Sequence, residues 1–182
     1  MERVAVDGVE LAYERTGTGP RLLFLNGSGS TLAATLLLRK PFHQAFDVVS
    51  FDARGIGEST IPDEPFTMAD CAADAVAVMD HVGWDTCRVL GISFGGMVAQ
   101  ELAVTAPERV ERLALLCTSP GGAGGSSFPL HESPPTATVL DTRFTPEWLA
   151  AHPRDATLVE ILAKRRDEPK SVEAVRGERQ QL

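Results

Sequence analysis

Leu90-Gly91-Ile92-Ser93-Phe94-Gly95-Gly96 is an apolar run that stops on a serine set between glycines. Cys87-Arg88-Val89-Leu90 ahead of it reads as a short strand. Met97-Val98-Ala99-Gln100-Glu101-Leu102-Ala103 behind it reads as a helix, stopped by Pro107. Gly91-Ile92-Ser93-Phe94-Gly95 therefore fits G-x-S-x-G in the context that gives the pattern meaning, a tight strand-to-helix turn that holds the serine in strained backbone. The residues two positions away must be small because strand and helix backbones approach closely there. The helix behind aims its positive end at the serine. The competing reading, an idle serine in a glycine-rich turn, leaves that context unused. A serine hydroxyl is a poor nucleophile until a base takes its proton, so Ser93 also poses the question of a histidine.

The chain before the elbow alternates strands and helices. Val4-Ala5-Val6-Asp7-Gly8-Val9-Glu10-Leu11 carries Asp-Gly between two apolar runs, a strong hairpin signal. Leu22-Leu23-Phe24-Leu25 is continuously apolar, as in a parallel strand buried on both faces. A helix-like stretch follows to about Phe42, with Leu32-Ala33-Ala34-Thr35-Leu36-Leu37-Leu38 expected to be buried or half-buried. Asp47-Val48-Val49-Ser50-Phe51-Asp52 is the next strand. Thr67 and Asp70 have the spacing of a capping box, and Met68, Ala72, Ala75, Met79 and Val82 recur on one helix face, ended by Gly83. Leu113-Ala114-Leu115-Leu116-Cys117 is the last apolar strand. An antiparallel hairpin followed by this alternation predicts an α/β fold with a mostly parallel sheet, right-handed crossovers and helices on both faces.

After Pro120 the character changes. Gly121-Gly122-Ala123-Gly124-Gly125-Ser126-Ser127 reads as a linker and Ser133-Pro134-Pro135 as a breaker. Thr145-Pro146-Glu147 opens a helix with proline at its first position, a second helix is expected from about Asp155 to Arg166, and Ser171 begins a third. The expected organisation is a core over 1–120 and a linker with helical segments over 121–182.

Composition narrows the function. With 182 residues, 43% apolar and 23% charged, the chain can build one substantial core. A net charge of −8 and no extended basic cluster argue against a nucleic-acid partner. No apolar stretch is long enough to span a bilayer and no signal-peptide pattern opens the chain, so no membrane partner and a cytoplasmic location are expected. The three cysteines, Cys71, Cys87 and Cys117, form no CxxC pair, so reduced thiols and no metal site are expected.

Acyl transfer also needs preformed N–H donors for a negative oxygen. Asn26-Gly27-Ser28-Gly29 follows an apolar strand and can supply them, from Ser28 or from Gly27, with the Phe94 N–H behind the serine as the other donor. A phosphate-binding reading of Gly27-Ser28-Gly29-Ser30 lacks both the third glycine of a dinucleotide fingerprint and the Gly-Lys-Ser/Thr of a P-loop. Together LFLNGSGS, VVSFDARGIGEST, RVLGISFGGMVAQELA and PERVERLALLCTSP, with the Asp7-Gly8 hairpin, resemble the N-terminal two-thirds of an α/β-hydrolase fold enzyme. Within that family the likeness is to small carboxylic-ester and enol-lactone hydrolases. The resemblance implies that Ser93 forms an acyl-enzyme with a small-molecule ester or lactone, without a cofactor. It implies that the residues after Pro120 begin a helical cap, and that Asp52 and Arg54 hold a loop near the elbow rather than move protons. Asn26 stands where many members have histidine, as in the enol-lactonase-like subgroup.

The family order is nucleophile, acid, histidine, with the last two after later strands that this chain lacks, so a C-terminally incomplete chain is expected. Of the four histidines, His43 and His81 precede the elbow and are expected at the surface, and His131 lies in a loop. Asp141 and His152 follow Ser93 in the right order but flank one short cap helix, and a mobile cap is a poor place for a rigid base; the pair is set aside. Two consequences follow. The alternative function is a catalytically incompetent fragment or a non-catalytic ligand-binding module on the same fold. And Leu113-Ala114-Leu115-Leu116-Cys117 becomes an exposed sheet edge, through which the chain is expected to self-associate. A serine nucleophile leaves C–C hydrolase, peptidase, perhydrolase and lyase chemistry open as well.

Overall fold

Six strands form one mixed sheet in a computed structural model that describes residues 1–121 and 145–157. These fall in two compact units, 1–121 in one and 145–157 in the other. In the first unit, strands β1 (Glu2–Val6) and β2 (Val9–Thr16) make the predicted hairpin, with Val6 opposite Val9. Asp7 and Gly8 at its tip have φ of 40° and 81°, the left-handed pair that a two-residue turn matching strand twist requires.

Strands β3 (Arg21–Leu25), β4 (Asp47–Phe51), β5 (Cys87–Ile92) and β6 (Val110–Leu116) complete the sheet in the order β1-β2-β4-β3-β5-β6. β4 pairs antiparallel with β2, while the β4-β3-β5-β6 block is parallel. The run Leu22–Leu25 is apolar throughout because both of its faces are covered. Leu23 and Leu25 join Val49, Phe51 and Val89 on one face, under helices α2 (Met68–His81) and α3 (Phe94–Thr105). Leu22 and Phe24 join Val48 and Leu90 on the other, under Phe42 and Phe46.

The local signals in α2 are realised. The Thr67 hydroxyl accepts from the Asp70 N–H and the Asp70 carboxylate accepts from the Thr67 N–H, and Gly83 has φ 73° just past the helix end. Helix α1 (Leu32–Arg39) departs from expectation. Leu36, Leu37 and Leu38 are exposed, Leu37 to 82%, while Arg39 is 1% exposed. Arg39 donates to Glu14 Oε2 at 3.0 Å and to the Leu32 carbonyl at 2.7 Å, so its charge is paired where burial would otherwise be prohibitive. The chain then tightens into a 3-10 turn over Lys40–Gln44, with proline near its start, rather than continuing as one helix.

β6 is the sheet edge among the described residues, with Leu113, Leu115 and Leu116 each at least 40% exposed. In the second unit, α4 (Pro146–Ala151) starts as predicted, the Thr145 hydroxyl accepting from the Trp148 N–H. Helical residues also occur at 153–157, where the second predicted helix begins; its remainder and the third helix lie outside the described residues. No helix among the described residues is long and apolar enough to cross a membrane.

Candidate active site

Ser93 stands alone between β5 and α3, exposed while Phe94, Gly95 and Gly96 are buried. Its φ of 52° and ψ of −118° lie outside the regions an L-residue favours, a strain of about 1–3 kcal/mol that the surroundings must hold. They do so through both backbone groups. The Ser93 N–H donates to the Leu116 carbonyl at 2.9 Å, and the Ser93 carbonyl accepts from the N–H groups of Gly96 (2.9 Å) and Met97 (3.2 Å) and from Thr118 Oγ1 (2.8 Å).

The glycines are steric requirements. A Cβ on Gly91 would lie 2.3 Å from the Gly95 carbonyl oxygen, one on Gly95 2.3 Å from that of Leu25, and one on Gly96 2.6 Å from Thr118 Cβ. The third lies outside the G-x-S-x-G pattern and makes room for Thr118. Phe94 opens α3, so its N–H has no acceptor within the helix and sits at the helix's positive end.

The loop after β3 lies against the elbow. A Cβ on Gly27 would be 3.6 Å from Ser93 Cβ and 3.5 Å from the Ile92 carbonyl oxygen. The turn Gly27-Ser28-Gly29-Ser30 is closed by the Ser30 N–H donating to the Gly27 carbonyl at 3.1 Å, with Gly29 at φ 65°. Its base is pinned to β4, for Asn26 Nδ2 donates to Ser50 Oγ at 3.1 Å and Ser50 Oγ donates to the Phe24 carbonyl at 2.7 Å. Beside it is a cavity of about 20 Å³, bordered by Leu25, Asn26, Phe51, Cys71, Asp74 and Phe94, room for about one water.

Asp52 and Arg54 are engaged in holding backbone. Asp52 is 1% exposed and accepts from the N–H groups of Leu32 (2.6 Å) and Glu58 (2.9 Å). Burial nevertheless raises its carboxyl above the usual aspartate range. Arg54 makes a two-pronged pair with Asp74, Nε and Nη2 each 2.7 Å from a carboxylate oxygen. The Cys71 thiol nearby is pushed up to about 12 by burial and is no nucleophile near neutral pH.

The histidines divide differently from expectation. His43 is half-buried rather than at the surface, and burial lowers its imidazole pKa. His81 is exposed, its ring edge-on to Tyr13 at 5.5 Å. His152, in the second unit, stacks on Trp148 at 3.8 Å, and its Nδ1 lies 2.9 Å from the Trp148 carbonyl oxygen. The carboxylate beside it, Asp155, accepts from the Trp148 indole at 2.8 Å. Asp141 and His131 lie outside the described residues. Among the described residues of the first unit, no hydrogen bond joins His43 or His81 to Ser93.

So Ser93, Phe94, Gly27 and Ser28 come from two loops that meet at the C-terminal ends of β3 and β5. The Thr118 contact was not read from the sequence, and the doubled glycine, Gly95-Gly96, was the signal that could have found it.

Comparisons with known proteins point to the same architecture. The family model described as the α/β hydrolase fold matches residues 20–153. The dihydrolipoyllysine-residue acetyltransferase component of the acetoin cleaving system of Cupriavidus necator is 39% identical over 120 residues, 65% of this chain and 32% of the relative. The 3-oxoadipate enol-lactonase 2 of Acinetobacter baylyi is 29% identical over 120 residues, 65% of this chain and 45% of the relative. The crystal structure of the enol-lactonase from Burkholderia xenovorans LB400 superposes with a TM-score of 0.69 at 22% identity, covering 99% of this chain and 72% of that one. The chain spans about a third to a half of the length of such curated relatives.

Proposed function

The chain belongs to the α/β-hydrolase fold family, and we propose that within it Ser93 is the nucleophile of a hydrolase acting on a small carboxylic ester or lactone. The strained Ser93 backbone carries this reading: φ 52° at a non-glycine residue, held by hydrogen bonds to both of its backbone groups and permitted by three glycines where a Cβ would clash, is strain that an idle serine would not need. The enol-lactonase relative supports a lactone or ester in particular.

In the proposed reaction Ser93 Oγ loses its proton to a general base and bonds to the substrate carbonyl carbon. The carbonyl electron pair moves onto oxygen. Phe94 N–H and Ser28 N–H, or Gly27 N–H in place of Ser28, donate to that oxygen as it gains charge; one such donor is worth about 10²–10³ in rate. Collapse breaks the substrate C–O bond as the base returns its proton to the departing oxygen, which stays tethered when the substrate is a lactone, and water then hydrolyses the acyl-Ser93 ester to the acid and free Ser93. No cofactor enters this scheme. The general base is not assigned to any described residue.

A fluorophosphonate tests the assignment, because Ser93 Oγ would bond to phosphorus while fluoride leaves and the serine proton passes to the base or to solvent. Intact-mass spectrometry should show one adduct on the wild-type chain and none on Ser93→Ala. Equal labelling of both would overturn the reading. The alternative reading is a ligand-binding module without turnover, and a wild-type chain that stays unlabelled would favour it.

A further inference from the structure

We infer that Thr118 is a positioning residue for the oxyanion donor at Phe94; this rests on the nucleophile reading of Ser93. The Ser93 carbonyl and the Phe94 N–H belong to one peptide group, which is planar. Whatever fixes and polarises the carbonyl therefore aims and strengthens the N–H on its other side. Two of the donors to that carbonyl, the Gly96 and Met97 N–H groups, belong to α3 itself. The third is the Thr118 hydroxyl at 2.8 Å, from a residue 25 positions away.

Three further features place Thr118 there. Gly96 has no side chain, and a Cβ on it would lie 2.6 Å from Thr118 Cβ and 2.7 Å from its Oγ1. The strand before Thr118 ends by giving the Leu116 carbonyl to the Ser93 N–H at 2.9 Å. The residue after it is held by Gln100, whose Nε2 donates to the Ser119 and Gly96 carbonyls, each at 3.1 Å. The segment 116–119 is thereby laced to the elbow on both sides of Ser93, and the only hydroxyl in that lacing goes to the peptide that carries the proposed donor.

The test measures how fast a fluorophosphonate modifies Ser93 across reagent concentrations, which separates the limiting rate from half-saturation. Thr118→Val keeps the shape and removes the hydroxyl; Thr118→Ala removes it without filling the space left by Gly96. Both should lower the limiting rate about three- to tenfold, the worth of one hydrogen bond, with half-saturation unchanged. Thr118→Ser should restore the rate. In the amide spectrum the Phe94 proton should move upfield in T118V and stay in place in T118S. A folded T118V or T118A that reacts within twofold of wild type overturns the inference, as does a T118S slowed as much as T118V, which marks loss of packing. A wild-type chain that leaves Ser93 unlabelled overturns the hydrolase reading and this inference with it, whereas a labelled wild type with an indifferent T118V overturns this inference alone.

Discussion

At Gly95 a methyl group would lie 2.3 Å from the Leu25 carbonyl oxygen and 2.5 Å from that of Asn26. Both obstacles are backbone atoms, at the end of β3 and the start of the loop that presents Gly27 and Ser28, so nothing can swing aside. Gly83 is a useful contrast, since its φ is 73° but a Cβ there would meet nothing within 4 Å. Gly83→Ala should therefore cost only the left-handed strain, about 1 kcal/mol. Gly95 is not left-handed, and Gly95→Ala must instead push β3 away from α3, which should cost about 3 kcal/mol. Urea unfolding of the two variants reads the difference, and a Gly95→Ala variant as stable as Gly83→Ala would show that the elbow relaxes freely. Both glycines are legible in the sequence, Gly83 as a helix stop and Gly95 as part of G-x-S-x-G. What the sequence does not state is that Gly95 faces the Leu25 and Asn26 carbonyls while Gly83 faces open space, because the first depends on a strand some seventy positions earlier.

Among the elements, those read correctly from the sequence are stabilised by near neighbours. The β1–β2 turn needs only Asp7 and Gly8 and the α2 cap only Thr67 and Asp70, while the elbow announces itself through its own glycines and flanks although Leu116 and Thr118 also hold it. Helix α1 was misjudged at its C-terminal half: Leu32 is buried as expected, but Leu36, Leu37 and Leu38 are exposed and the other buried residue is Arg39, paired with Glu14 on β2. The site shows the same division. Ser93 and the Asn26–Ser30 loop were legible, whereas Thr118, Gln100 and the Asn26–Ser50 link are contacts between separate elements. The Arg54–Asp74 pair is another such link, joining the loop after β4 to the middle of α2, with Arg54 8% and Asp74 1% exposed. Arg54→Met should leave a buried carboxylate unpaired and cost about 3–5 kcal/mol. Arg54→Met combined with Asp74→Leu should recover most of that loss, since burying an apolar pair is often neutral. Denaturant midpoints of the two variants decide the point: a single variant near wild-type stability would mean that the pair holds nothing.

Across the molecule the two sheet edges differ in kind. β1 is short, twisted by its turn and flanked by charge, with Arg3 bonded to Glu10 and Glu58. β6 offers backbone donors and acceptors beside Leu113, Leu115 and Leu116, with no strand beyond it among the described residues. Such an edge is a template for another strand, and we propose that in this chain taken alone the occupant is the same edge of a second copy, related by a two-fold axis. Antiparallel pairing centred on Ala114 sets Leu113 of each copy opposite Leu115 of the other. Each of these cross-strand contacts is worth about 0.2–1 kcal/mol, and pairing also satisfies the edge backbone. Net charge opposes close approach, at −8 per chain, so association should strengthen with salt as this repulsion is screened. Sedimentation velocity over a concentration series should show a monomer–dimer equilibrium that shifts toward dimer at higher salt. Leu115→Lys sets a charge opposite Leu113 at both ends of the pairing and should leave a monomer. A wild-type chain that remains monomeric over the whole series, or a Leu115→Lys variant that dimerises as the wild type does, would exclude β6 as a self-pairing edge.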